Sequence, residues 1–276
     1  MNTFGVEKAT VIRYPATANL MIDSDDRNTT TNPSWADFQI TRPQSVMNGF
    51  FTRVGTTEVV LEWCEPNIVA DEIILDVSGA AVRSQQTFSI VNSFFNVSDL
   101  LNEIAVAFNN YNGVTFSVSK IGNLAGINAT GGKFRVISTP LAVKLGIDLD
   151  PSLQSRKSVI GCPDLRLYRY LDFTSPQLTY AQDLKDTSTQ TFPKDVLCRW
   201  YMAEDSQETY DSLGFPILMG YEGFVRRRLF NPPKQIKWDN NLPLGNMVFQ
   251  VYDDNGDLMP VSSDSNFLMT LQMSEN

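Results

Sequence analysis

Residues 230–273, FNPPKQIKWDNNLPLGNMVFQVYDDNGDLMPVSSDSNFLMTLQM, are the stretch whose reading decides the fold. Near its end Phe267, Met269, Leu271 and Met273 alternate with Leu268, Thr270 and Gln272. A period of two buries one face of a sheet and leaves the other more polar. A strand is therefore predicted over 267–273, and a second over 247–252. Asn255-Gly256 between them is a strong hairpin signal. Asn231-Pro232-Pro233 opens the stretch as a stiff, extended segment. Nothing here looks catalytic, and the two strands read as the edge of a β-sandwich built to be covered by something.

Working outward, the same alternation recurs upstream. Strands are expected over 20–22, 35–40, 50–54 and 58–64, and again over 165–173, 196–203 and 215–219. Many short strands with turn signals between them suggest a sandwich of the jelly-roll or immunoglobulin kind. The polar, turn-rich segments 174–193 and 204–214 are long for connections, and long ordered loops on a sandwich carry contacts. Residues 1–16 read as an arm.

The character changes between 69 and 149. Val97, Leu100, Leu101, Ile104, Ala105 and Phe108 follow the spacing of one helical face, which predicts a helix over 97–108. Ser98 is a suitable N-cap, and Asp99 suits the positive end of the helix dipole. Strands are expected over 72–77, 87–91, 114–118 and 134–137, with Gly122, Gly126, Gly131 and Gly132 as turn residues of a link. Thr139-Pro140 opens a short helix that Gly146 ends. The fold is thus mainly β: a β-sandwich over 17–68 and 150–276, an N-terminal arm over 1–16, and an inserted small α+β subdomain over 69–149. The competing arrangement has these helices plug one end of a single sandwich.

Composition narrows the function. A net charge of −9, from 31 acidic against 22 basic residues, argues against nucleic acid as the main partner, which would need a basic stripe. The chain has no histidine, so Ser-His-Asp, Cys-His and histidine-rich metal chemistries are excluded. Cys64, Cys162 and Cys198 form no CxxC pair and are an odd number, which points to free thiols in a reducing compartment. No secretory signal opens the chain, and no apolar run approaches the roughly 20 residues that span a bilayer.

Candidate sites are few. Asp253-Asp254-Asn255-Gly256-Asp257 superficially resembles a calcium loop, but Gly and Glu are missing at its sixth and twelfth positions, so it reads as a turn. Asp23, Asp25 and Asp26, with Asp148 and Asp150, supply oxygen ligands in type only, because nothing in the sequence brings the two groups together. An Asp/Glu hydrolase would need two facing carboxylates, and no local motif supports one. No cofactor or metal site is expected. Arg226, Arg227 and Arg228, with Lys234 and Lys237, are the one basic cluster, interleaved with Phe224, Phe230 and Trp238 and holding Pro232 and Pro233 in its middle. Arginine among aromatics can also stack and pair with nucleic acid. On a chain this acidic the fixed segment suits a subunit contact, complementary to acidic loops such as Asp23, Asp25 and Asp26 or Glu204 and Asp205.

IDSDDR at 22–27 followed by ADFQI at 36–40 resembles the N-terminal signature of minor capsid proteins of tailless icosahedral double-stranded DNA viruses. The helical segment 97–108 with LAVKLGI at 141–147 is similar to the insert those proteins often carry. FNPPKQIKW, YDDNGDLMPV and the final alternating strand resemble the end of penton-type proteins from Polinton-like elements, virophages and their larger relatives. The resemblance implies a single jelly roll that forms homopentamers at the capsid vertices and meets trimeric major capsid proteins, without catalysis. A vertex spike is a further partner it allows, and specific nucleic acid is not. The chain would be made in the cytoplasm or nucleus of the host and end in the virion. A rival expectation is a receptor- or carbohydrate-binding β-sandwich of a viral spike or tail-associated structure.

Overall fold

In a computed structural model of the protein, the register between strands shows how the chain is wound; the structure describes residues 17–41, 51–80, 82–179, 196–202, 213–215, 224–237, 245–260 and 265–275. The first three strands are β1 (Thr17–Asp23), β2 (Asp37–Thr41) and β3 (Arg53–Trp63). There follow β4 (Ile68–Ser78), β5 (Ser84–Ser93), α1 (Val97–Ala107), β6 (Thr115–Ile121), β7 (Leu124–Thr130), β8 (Lys133–Ile137), α2 (Pro140–Leu145) and β9 (Arg156–Ser158). The chain ends with β10 (Tyr170–Thr174), α3 (Pro176–Thr179), β11 (Val196–Tyr201), β12 (Phe224–Leu229), β13 (Ile236–Lys237), β14 (Asn246–Tyr252) and β15 (Asn266–Ser274).

Two antiparallel sheets face one another. One has the order β1-β15-β3-β12, with β13 also on β3, and the other the order β11-β10-β14-β2. Setting aside β4–β9 and the short β13, the first strand pairs with the last, the second with the second-last, the third with the third-last, and the two middle strands with each other. That is an antiparallel ribbon rolled on itself, the winding of a jelly roll. Its core is aromatic. Phe267 on β15 meets Phe173 at 5.0 Å, Phe38 at 5.8 Å and Trp35 at 6.3 Å between ring centroids, so one side chain ties both sheets together.

The expectation of a sandwich edge at 247–252 and 267–273 is overturned. β14 lies between β10 and β2, and β15 between β1 and β3, so both strands are interior. They do not form a hairpin with each other either, since they belong to opposite sheets. The Asn255-Gly256 turn is present, but it folds the chain back only as far as the bridge between Tyr252 and Leu258 before the crossing. The segments expected as separate strands at 50–54 and 58–64 are one continuous β3, and β10 is shorter than the expected 165–173. β12 was not foreseen. The arm 1–16, the strand expected at 215–219 (apart from Phe215), Trp238 and most of the loops 174–193 and 204–214 lie outside the described residues.

Strands β4–β9 and helices α1 and α2 stand between β3 and β10 and build a second core from residues between Ile68 and Leu165. A division drawn at 149 leaves out β9, whose pairing with β7 holds 156–158 to this core. Leu100, Leu101 and Ile104 of α1 are fully buried in it, each contributing roughly 2 kcal/mol. The N-cap of α1 is Asn96, not Ser98: its side chain accepts the Asp99 backbone N–H at 2.9 Å. Thr139 and Gly146 cap α2 as the sequence suggested. The link expected between 118 and 134 contains a strand, β7, and Gly126 sits inside it rather than in a turn.

Candidate subunit interface

Because successive side chains of a strand point to opposite faces, the run Arg226-Arg227-Arg228 is divided between two environments. In register, Arg228 stands in a row with Val59, Met269 and Ile22, all fully buried. Arg228 therefore lies on the core side, its guanidinium 5.4 Å from the Phe230 ring centroid. Arg227 stands in the next row, with Val60, Leu268 and Asp23. This row is on the outer face, and the Arg227 side chain is 64% exposed. Glu58, two residue pairs along β3 and so on the same face, accepts its Nε–H. On either side of Arg227 on the same face, Val225 and Leu229 are 65% and 62% exposed. The basic cluster is thus one outward arginine between two outward apolar side chains.

Asp23 ends β1 at the opposite edge of the same sheet. Its carboxylate accepts the Asp25 backbone N–H at 2.9 Å and opens a turn of 3-10 helix at Ser24–Asp26. The buried Ser24 anchors that turn: its Oγ accepts the Phe267 N–H at 2.8 Å. Arg27 donates to Ser24 O at 2.7 Å, Asn266 Oδ1 at 3.2 Å and Asp25 Oδ1 at 3.4 Å. Asp23, Asp25 and Glu62 then line a shallow groove floored by Val60 and Leu268. The two expected contact groups do not meet within one chain. They occupy one row at opposite edges of one face, separated by three strand spacings, roughly 14 Å.

Phe230 donates its N–H to Thr57 O at 2.9 Å and packs half-buried against the sandwich core. The bond before Pro232 is cis, Pro232 is exposed and Pro233 half-buried. The chain then passes so close to Gly55 that a Cβ there would lie 2.9 Å from Lys234 O and 3.3 Å from Pro233 Cβ. The Pro-Pro segment is thus seated on its own β3. Met21, Glu58, Val60, Glu62, Val225, Leu229 and Leu268, which share the outer face, were not singled out from the sequence. The signal that would have found them is the alternation in VRRRL, which shows only once 224–229 is taken as a strand.

The other acidic residues considered from the sequence are held within the chain. Asp253 Oδ1 accepts the backbone N–H groups of Asn255 and Asp257 at 2.9 and 2.8 Å, which makes the acidic loop a turn. Asp148 and Asp150 belong to the second core, where buried Lys157 reaches Asp148 Oδ2 at 3.3 Å and Asp150 O at 2.8 Å. On the outer face of the other sheet, Arg199 stacks 3.9 Å over Tyr170 and holds buried Asp172 through bonds of 2.7 and 2.9 Å. The carboxylate raises the Arg199 pKa above its usual value. On the first sheet Arg227 likewise has a partner in its own chain, Glu58, while Asp23 stands at the far edge of the same face.

No protein-family model matches the chain, and no curated protein is similar to it. Among solved structures it is similar to the mavirus penton protein, with a TM-score of 0.54 and 11% identity, over 95% of this chain and 100% of that one. The likeness is one of fold. It agrees with the rolled ribbon of strands derived above, and the mainly β jelly roll is thereby established. No helix among the described residues is long and apolar enough to cross a membrane.

Proposed function

We propose that the chain is a penton-type minor capsid protein that forms homopentamers at icosahedral vertices and contacts trimeric major capsid proteins, with no catalytic role. One observation carries the reading. A jelly roll alone hosts many functions, but the similarity to the mavirus penton protein covers 95% of the chain, an extent the eight rolled strands could not reach without the second core. The placement of Arg227 and Asp23 at opposite edges of one face supports it. A cyclic assembly needs one patch that matches a different patch on the same chain, and Arg227 and Asp23 supply such a pair.

In this reading Arg226, Arg227, Arg228, Phe230, Pro232, Pro233 and Trp238 belong to one side of the subunit contact, and Asp23, Asp25 and Asp26 to the other. Arg227 and Asp23 make the contact itself, while Arg228, Phe230 and Pro233 support the strand that presents it. The protein resides at the capsid vertex, where a spike is a further partner, and it is made in the cytoplasm or nucleus of the host. The division into a sandwich and an insert belongs to the same proposal, the insert projecting from the ring. Mass photometry of the purified protein is expected to show a species of five chains. A chain that stays monomeric and never enters particles overturns the reading.

A further inference from the structure

We infer that β12 of one copy pairs with β1 of the next, so that the β1-β15-β3-β12 sheets of the assembly join edge to edge. The inference rests on the proposed ring for its closure but concerns how the contact is made. Among the described residues β1 pairs only with β15 and β12 only with β3. Each therefore carries a rim of backbone N–H and C=O groups facing away from the sheet, which natural proteins cover or pair.

Strand polarity permits the junction. All three pairings along the sheet are antiparallel, so β1 and β12 run in opposite directions. Setting β12 beside the β1 of another copy continues an antiparallel sheet, the addition that peptide strands use at exposed edges.

The outward side chains choose the register. With Arg227 opposite Asp23 of the next copy, Leu229 falls opposite Met21. These two apolar side chains are 62% and 60% exposed. A slip of two residues one way sets Arg227 on Met21 and Val225 on Asp23, and a slip the other way sets Leu229 on Asp23. A slip of one reverses every side chain between faces. Within β1, which ends at Asp23, only the first register places charge on charge and apolar on apolar; Asp25, the next outward position, already lies in the 3-10 turn. Glu58 takes the Nε–H of Arg227, and a guanidinium has further donors on its terminal nitrogens for a second carboxylate. Each copy contributes one basic edge and one acidic edge, and a closed ring leaves neither exposed.

The test is a cysteine pair, Met21→Cys with Leu229→Cys, in a background carrying Cys64→Ser and Cys162→Ser. Within one chain these positions are three strand spacings apart, roughly 14 Å, beyond the roughly 7 Å that a disulfide spans between Cα atoms. Any bond between them therefore joins two copies. Mild oxidation is expected to give a non-reducing ladder reaching five chains, and the offset pair Met21→Cys with Val225→Cys to react at least ten-fold less. In parallel, Arg227→Asp and Asp23→Arg are each expected to disperse the oligomer, and the two together to restore it. Pentamers that neither cross-link through the matched pair nor respond to the charge reversals overturn edge pairing and leave the ring standing. A parent protein with no oligomer, in solution or in particles, overturns the ring and this contact with it.

Discussion

Asp76 shows what one carboxylate does when its partners are fixed. It is buried on β4, and it accepts Arg83 Nε and Nη2 at 2.8 and 2.5 Å and Arg135 Nε at 2.8 Å. Its pKa lies below the usual aspartate value, first because of the Arg83 hydrogen bonds, against the opposing effect of burial, and then because of Arg135. A carboxyl whose folded pKa is depressed contributes stability that is complete above its unfolded value, about 4, and is lost as pH falls through the lower folded value. Asp76→Asn is expected to cost about 1–2 kcal/mol at neutral pH, the low end for a buried charged acceptor because Arg83 is half exposed and screened by water. Thermal melts should show the gap between parent and variant narrowing as pH falls below about 4. A gap that is constant from pH 7 to pH 3 would show that the ion pair is not its cause.

At the scale of elements, β7 separates what sequence makes visible from what it hides. Leu124-Ala125-Gly126-Ile127-Asn128-Ala129-Thr130 holds small residues and a glycine, so neither propensity nor alternation marks a strand. The strand exists because β6 and β9 pair with it from both sides, a long-range cause absent from the local pattern. Gly126 is required by close approach: a Cβ there would lie 2.5 Å from Lys157 O and 2.8 Å from Ser158 Cα. Gly122 in the preceding turn has φ 60° and nothing within 4 Å of such a Cβ. Gly122→Asn should be nearly neutral, because asparagine tolerates left-handed backbone. Gly126→Ala is expected to cost about 1–3 kcal/mol, the range for overpacking, with a lower melting temperature by calorimetry. Equal effects at the two glycines would contradict the close approach. By contrast α1 and β15 were legible, since their apolar periods of 3.6 and 2 are also their burial patterns. The strand order was not legible, because alternation says which face is buried and nothing about which strand lies alongside. The candidate interface shared that fate: the arginines stood out as charge, but their division between two faces appears only with β12 and its register to β3.

At the scale of the whole molecule, two cores share one chain without sharing their buried residues. The second leaves the sandwich after Trp63 and returns before Tyr168, and those rings meet edge to face at 6.1 Å between centroids. The ends of the excursion are therefore close, and a short Gly/Ser linker can replace residues 68–165 with little loop-closure cost. Leu213 and Phe215 pack against the second core from the chain between β11 and β12, and excision would bare them. The deletion should therefore carry Leu213→Ser and Phe215→Ser. The resulting chain keeps both sheets and the Phe267 aromatic cluster, and is expected to give β-type circular dichroism and one cooperative thermal transition. Because the residues of the proposed ring contact all lie outside 68–165, it should also still form the oligomer. A deletion that folds but stays monomeric would assign the ring contact to the second core. One that does not fold would show that the sandwich depends on the second core for its stability.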